Sequence, residues 1–323
     1  MRMMVRLAAI GTALALANVG LAQPNSGGTS FLTLGTMGGP VAEAKRSQPA
    51  NALVRGRDVY LVDAGDGAAQ QLVKAGYYLP QVRAVFLSHL HFDHVGGLGA
   101  IIGLRYQANA PGVLRIFGPP GTRELVNGII ASMKPSAEAG YGLPDARRIN
   151  PAATVEVTEM RDGFEQAVDG FQVRAAKNTH YSFPVGSAAE RAFESLSLRF
   201  DLPERSIIYT GDTGPSSAVD KLGRGADLLV SEMIDVPETV ARVQAINPSL
   251  SEQNRQDMVR HLSAHHLTPA QVGEMAKAMG VKELVLTHLV IANADPERLA
   301  GYKAQIAKIF TGEIMIANDL DRF

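Results

Sequence analysis

Ser88-His89-Leu90-His91-Phe92-Asp93-His94 places three imidazoles and a carboxylate within six residues. Ring nitrogens and a carboxylate oxygen at this spacing suit a borderline-soft divalent metal, zinc first. The chain holds only 8 histidines, so three in one short stretch are poorly explained as scattered surface residues. With no cysteine present, every metal ligand must be His, Asp or Glu, and no thiolate can act as a nucleophile.

Three further positions fit this cluster. His180 follows Val173-Arg174-Ala175 and a polar stretch, Asp212 sits in Tyr209-Thr210-Gly211-Asp212-Thr213-Gly214, and His288 follows Leu284-Val285-Leu286-Thr287. Taken singly, each reads as a hydrogen-bonded histidine or a plain turn. Together they share one placement, the loop after the C-terminal end of an apolar strand. Loops of that kind converge on one sheet edge, where sites in α/β proteins form.

The elements that must position these residues alternate along the chain. Strand-like runs fall at 31–34, 59–62, 84–87, 113–117, 154–157, 171–175, 196–200, 207–209, 228–230, 284–287 and 314–316. Helix-like runs fall at 67–75, 122–133, 216–222, 238–246, 252–263, 269–279 and 296–309. Runs apolar at consecutive positions, such as Ala84-Val85-Phe86-Leu87, imply strands covered on both faces and a layered α/β architecture. Residues 134–151 read as a surface loop, and 237–265 as a helical insertion between core elements.

At 323 residues, 46% hydrophobic and 20% charged with a net charge of −1, the chain can bury a sizeable core. No basic run or basic-aromatic interleaving points to nucleic acid, so a small-molecule partner is expected and no nucleic acid. Residues 1–22 combine Arg2 and Arg6, an apolar run from Leu7 to Leu21 and a small-residue end at Gly20-Leu21-Ala22. They read as a cleavable secretory leader, leaving 23–323 as the mature domain, periplasmic or secreted, with no stable membrane span. A homodimer is left open.

His89-x-His91-x-Asp93-His94, followed in order by His180, Gly211-Asp212 and Thr287-His288, resembles the metallo-β-lactamase fold superfamily from about Gly35 to Asp319. Leu61-Val62-Asp63-Ala64-Gly65-Asp66-Gly67 is similar to its early strand-turn signature, in which the aspartate is structural. The resemblance implies a four-layer αβ/βα sandwich with the site at one edge. It also implies two divalent metal ions, zinc first with manganese or iron as alternatives. His89, His91 and His180 would hold one, Asp93, His94 and His288 the other, and Asp212 would bridge them. A metal-bridging hydroxide would then attack an ester, with Asp93 orienting it or taking its proton.

Phe117-Gly118-Pro119-Pro120-Gly121-Thr122, the Asp212 turn and His266-x-Thr268 resemble the branch holding ribonuclease Z and arylsulfatase-like enzymes. That resemblance implies that His266, oriented by Glu232, protonates the leaving oxygen. His265 is a second candidate for the acid, and His261 reads as a surface helix residue. Tyr141, Tyr181 and Phe183 are candidates for lining a pocket or for plain packing. The expected function is hydrolysis of a small phosphodiester or sulfate ester. A carboxylic ester or lactone hydrolase of the quorum-signal lactonase kind is the alternative, and a non-catalytic metal-binding protein is the rival of another class.

Overall fold

The computed structural model describes residues 28–143, 149–291 and 294–323. The leader expected at 1–22, and part of the surface loop expected at 134–151, lie outside them. Two sheets dominate. The first contains, in order, β1 (Thr29–Gly35), β2 (Ala50–Arg55), β3 (Asp58–Ala64), β4 (Val82–Phe86), β5 (Leu114–Gly118) and β6 (Val155–Glu159). The second contains β7 (Glu165–Val168), β8 (Phe171–Lys177), β9 (Leu196–Asp201), β10 (Ser206–Tyr209), β11 (Leu228–Ile234), β12 (Glu283–Val290) and β13 (Glu313–Ile316).

The helices are α1 (Ala68–Lys74), α2 (Phe92–Val95), α3 (Leu98–Gln107), α4 (Thr122–Ser132), α5 (Lys134–Ala139), α6 (Ala188–Ala192), α7 (Ser217–Gly223), α8 (Val236–Ile246), α9 (Glu252–His265), α10 (Pro269–Met279) and α11 (Pro296–Ala307). Several begin where capping chemistry dictates. Ser216, Asp235, Ser251 and Asp295 each accept a hydrogen bond from the third residue beyond, and prolines occupy the first turn of α8, α10 and α11. Among the described residues, no helix is long and apolar enough to cross a membrane.

Alternation along each strand builds the layers. Tyr60, Val62, Ala84 and Phe86 face Val173, Leu198, Phe200, Ile207 and Tyr209 in a core between the sheets. Their neighbours Val59, Leu61 and Val85 point the other way and pack against α1, α3 and α4. On the second sheet Ile208, Leu229, Leu284 and Leu286 pack against α7, α10 and α11. The result is the expected four-layer αβ/βα sandwich, because the inner strands bury both of their faces while the edge strands β6 and β7 stay partly exposed.

Some elements depart from the sequence reading. β2 and β7 were not anticipated, since Ala50-Asn51-Ala52 and Glu165-Gln166-Ala167 carry weak apolar signals. β2 is nevertheless central to the first sheet, pairing with both β1 and β3. Residues 134–139, expected as loop, form the short α5 instead.

Candidate metal centre

Asp63 sets the loop that carries the opening motif. It lies near the end of β3 with a positive φ of 60°, fully buried. Its Oδ1 accepts from the Ser88 amide at 2.8 Å, and its Oδ2 accepts from the Ser88 and Tyr209 hydroxyls, each at 2.8 Å. The same Oδ2 lies 2.8 Å from His94 Nδ1, which fixes that ring's tautomer and turns Nε2 toward the site. Four groups therefore converge on one carboxylate that faces away from the donor cluster.

Close backbone approach does the rest. A Cβ on Gly65 would sit 2.2 Å from the Asp93 carbonyl oxygen, and one on Gly97 would sit 2.2 Å from the Gly65 oxygen. Only glycine lets α2 press against the end of β3. That one-turn helix then presents Asp93 and His94 in succession.

The other donors arrive from the second sheet. His180 follows β8, and its Nδ1 donates to the His265 carbonyl at 3.2 Å, so Nε2 faces the cluster. Asp212 follows β10 behind Gly211, whose φ is +58°. His288 lies within β12, not in the loop beyond it as the sequence suggested. Ser231 pairs with Leu286 and Met233 with Leu289, so Thr287 and His288 oppose the single residue Glu232. This bulge gives His288 a φ of 44° and re-aims its ring.

The carboxylate of Asp212 divides these groups. Its Oδ2 lies 3.8 Å from both His89 Nε2 and His180 Nε2, and His180 Nε2 is 3.0 Å from His91 Nδ1. Its Oδ1 lies 3.3 Å from His94 Nε2 and 3.1 Å from His288 Nε2. Asp93 Oδ2 faces the same two histidines, at 3.7 and 3.8 Å. All seven residues expected as ligands are thus brought together in two sets around one shared carboxylate.

This chemistry fits divalent cations. His89 Nε2, His94 Nε2, His288 Nε2 and Asp212 Oδ1 are buried without hydrogen-bond partners, an arrangement a coordinated ion would satisfy. Burial pushes the His89 and His91 imidazoles toward their neutral, ligating form, and His180 down to about 3. Burial alone would raise Asp93 and Asp212, but the surrounding histidines outweigh it and hold both carboxyls ionised.

Glu232 and His266 form a second buried unit. Glu232 Oε1 accepts from the Thr213 amide at 2.5 Å, and Oε2 lies 2.6 Å from His266 Nδ1. Burial raises the Glu232 carboxyl. Burial would lower His266, but Glu232 outweighs it and the imidazole is pushed up to about 9. His265 has no such partner, as its Nδ1 meets His261 Nδ1 at 2.8 Å.

A cavity of about 510 Å³ opens onto both units, reached by His91, Asp93, His180, Asp212 and His266. The rest of its lining is mostly apolar, from Val41, Val243, Met258, Leu262, Val290 and Ile291, with Thr239 and Arg242 beside them. His261 also lines it, half-buried, which corrects its reading as a surface residue. The signal was present in sequence, because Met258, His261, Leu262 and His265 share one helical face. Tyr181 packs beside His91 with ring centroids 5.2 Å apart, and Phe183 lies against Tyr181. Tyr141 lies elsewhere, 61% exposed and donating to the Gln107 carbonyl.

The model for the Beta-lactamase superfamily domain matches residues 59–289, which include every residue of both donor sets. The chain belongs to the metallo-β-lactamase superfamily. Within that superfamily it is similar to the ribonuclease Z of Mycobacterium sp. (strain KMS), 31% identical over 291 residues, covering 90% of this chain and 93% of the relative. Two solved structures share the fold. The metallo-beta-lactamase fold protein YhfI from Bacillus subtilis has a TM-score of 0.63 at 19% identity, covering 91% of this chain and 98% of that one. The short form of human tRNase Z has a TM-score of 0.60 at 20% identity, with 91% and 98% covered.

Like its relatives, this member of the superfamily is a hydrolase of ester bonds and resembles ribonuclease Z. The expectation of a small-molecule partner and no nucleic acid is overturned, since the relatives so named act on RNA. The absence of a basic run was the wrong guide. A nuclease needs a local site for one phosphodiester, and a continuous basic stretch of sequence is not required for that.

Proposed function

We propose that the protein is a dinuclear metal-dependent phosphodiesterase, with RNA phosphodiesters among its substrates. Zinc is the first choice of metal, with manganese and iron as alternatives. The observation that carries this reading is the Glu232–His266 pair opening onto the same cavity as the two donor sets. Such a pair serves a reaction whose leaving group is an oxygen that must be protonated.

His89, His91 and His180 would hold one ion, Asp93, His94 and His288 the other, with Asp212 shared. Bound there, the ions would polarise the ester oxygens and make a water nucleophilic near neutral pH. The chain's own groups then divide the proton work. Asp93, ionised and facing the cavity, accepts the proton of the attacking water. His266, held protonated by Glu232, gives its proton from Nε2 to the departing oxygen. The apolar part of the walls can pack an apolar part of a substrate.

Those walls also favour a second reading, a carboxylic ester or lactone bearing an apolar substituent. Hydrolysis rates on bis-p-nitrophenyl phosphate, a short RNA, an aryl sulfate and an acyl-homoserine lactone separate the readings. Turnover of the diesters supports the first. Turnover of the lactone alone replaces it with the second, and tight metal binding with no turnover leaves a binding protein. As part of the same proposal, 1–22 directs export to the periplasm or beyond, 23–323 is the mature hydrolase, and 237–265 is its inserted helical element.

A further inference from the structure

Helix α9 carries an imidazole that the proposed reaction has not used. The His261 ring centroid lies 5.4 Å from that of His180 and 5.5 Å from that of His266, and all three residues line the cavity. One nitrogen from each lies within 4.8 Å of the other two. His180 is already committed, with Nδ1 on the His265 carbonyl and Nε2 turned toward Asp212 and His91. His266 is committed at Nδ1 to Glu232. His266 keeps Nε2 for the leaving oxygen, and His261 keeps a second nitrogen for the cavity, since its Nδ1 meets His265 Nδ1 at 2.8 Å.

Two imidazole nitrogens at that distance cannot both donate or both accept. We propose that His261 is a substrate-contacting residue. His265 Nδ1–H donates to His261 Nδ1, which fixes His261 as the tautomer with its hydrogen on Nε2. That N–H then donates to an ester oxygen on the His266 side of the site. His261 is hydrogen-bonded to an imidazole and not to a carboxylate, so it holds the oxygen through a neutral N–H without surrendering a proton. His266, held against the Glu232 carboxylate, delivers one. The two histidines therefore differ in role because only one of them faces a carboxylate.

The identity of the oxygen rests on the phosphodiesterase reading, and the test keeps the two apart. Metal-loaded protein is compared with His261→Ala, His261→Gln and His265→Ala. The measurements are metal content, bis-p-nitrophenyl phosphate kinetics and calorimetric affinity for inorganic phosphate. One neutral hydrogen bond predicts a rise of roughly 2- to 12-fold in KM and in the phosphate Kd for His261→Ala. His261→Gln, whose amide keeps a donor, should recover much of that, and His265→Ala should fall between. Metal content should not change. Loss of an ion from His261→Ala, or unaltered phosphate affinity in it, overturns the proposal. If wild-type protein hydrolyses no diester yet phosphate binding still weakens in His261→Ala, the functional reading fails and the contact stands.

Discussion

Glu232 Oε2 lies 2.6 Å from His266 Nδ1, and both side chains are buried. An imidazole with an ordinary pKa of about 6.5 is thereby kept protonated up to about 9. As a general acid it is active in that form. Rates on diesters with poor leaving groups should therefore show an alkaline limb near pH 9, falling above it. Glu232→Gln removes the opposing charge, so the alkaline limb should move down toward 6.5 or lower. A pH profile in which the limb stays put would exclude the pair from this role.

His266→Ala should cost on the order of 100- to 10,000-fold on an alkyl-type leaving group. Nitrophenolate departs without protonation, so bis-p-nitrophenyl phosphate should suffer far less. Equal losses on the two substrates count against the acid.

Asp63 touches none of the proposed reaction yet holds Ser88, Tyr209 and His94. Asp63→Ala should weaken metal affinity by about 10- to 100-fold, with the His94 set affected first. Two hydroxyls and an imidazole lose their acceptor as well, so stability should fall by about 2–4 kcal/mol. Metal titration of the purified variant beside a thermal melt measures both.

Stripping metals with a chelator should lower Tm, because the donor sets belong to the folded state alone. At a metal concentration 100 times Kd, one site contributes about 2.7 kcal/mol. At about 2 °C per kcal/mol for a chain of this size, a drop on the order of 5 °C per site is expected. Elemental analysis should find two ions per chain in wild type and fewer in Asp212→Ala. An unaltered melt after complete removal speaks against a structural contribution.

Gly65→Ala puts a carbon where the Asp93 carbonyl oxygen lies only 2.2 Å away. The backbone must move, and the metal loop with it. Loss of metal should exceed what the modest change in side-chain size suggests, and far-ultraviolet circular dichroism should stay near wild type if the shift is local.

Much of this arrangement was legible because strand ends mark themselves. Val85-Phe86-Leu87 running into His89, and Ile208-Tyr209 running into Asp212, tie an apolar run to a ligating side chain at a spacing the sequence states outright. The layers followed from runs apolar at consecutive positions. β2 was invisible because Ala50-Asn51-Ala52 gains its burial from the strands on either side and not from its own side chains. His288 was placed one element too far along, since a bulge depends on the register of the opposing strand. His261 was set on the surface because α9 is rich in polar and charged residues; the face it shares with Met258 and Leu262 is visible in the sequence, but not what that face covers. Nothing in the composition reported the RNA-acting relatives.

The bulge at Thr287-His288 has a consequence for how such a site can change over time. Glu232 and His288 face each other across β11 and β12 because two residues on one strand oppose one on the other. A single insertion or deletion in either strand would misplace the proton-donating unit and one donor set at a stroke. The connection through α8 and α9 is free of that constraint and can lengthen, shorten or change its apolar face. Novelty in substrate choice is therefore expected to accumulate between residues 236 and 265, while the paired strands on either side tolerate exchange of residues but not a change in their number.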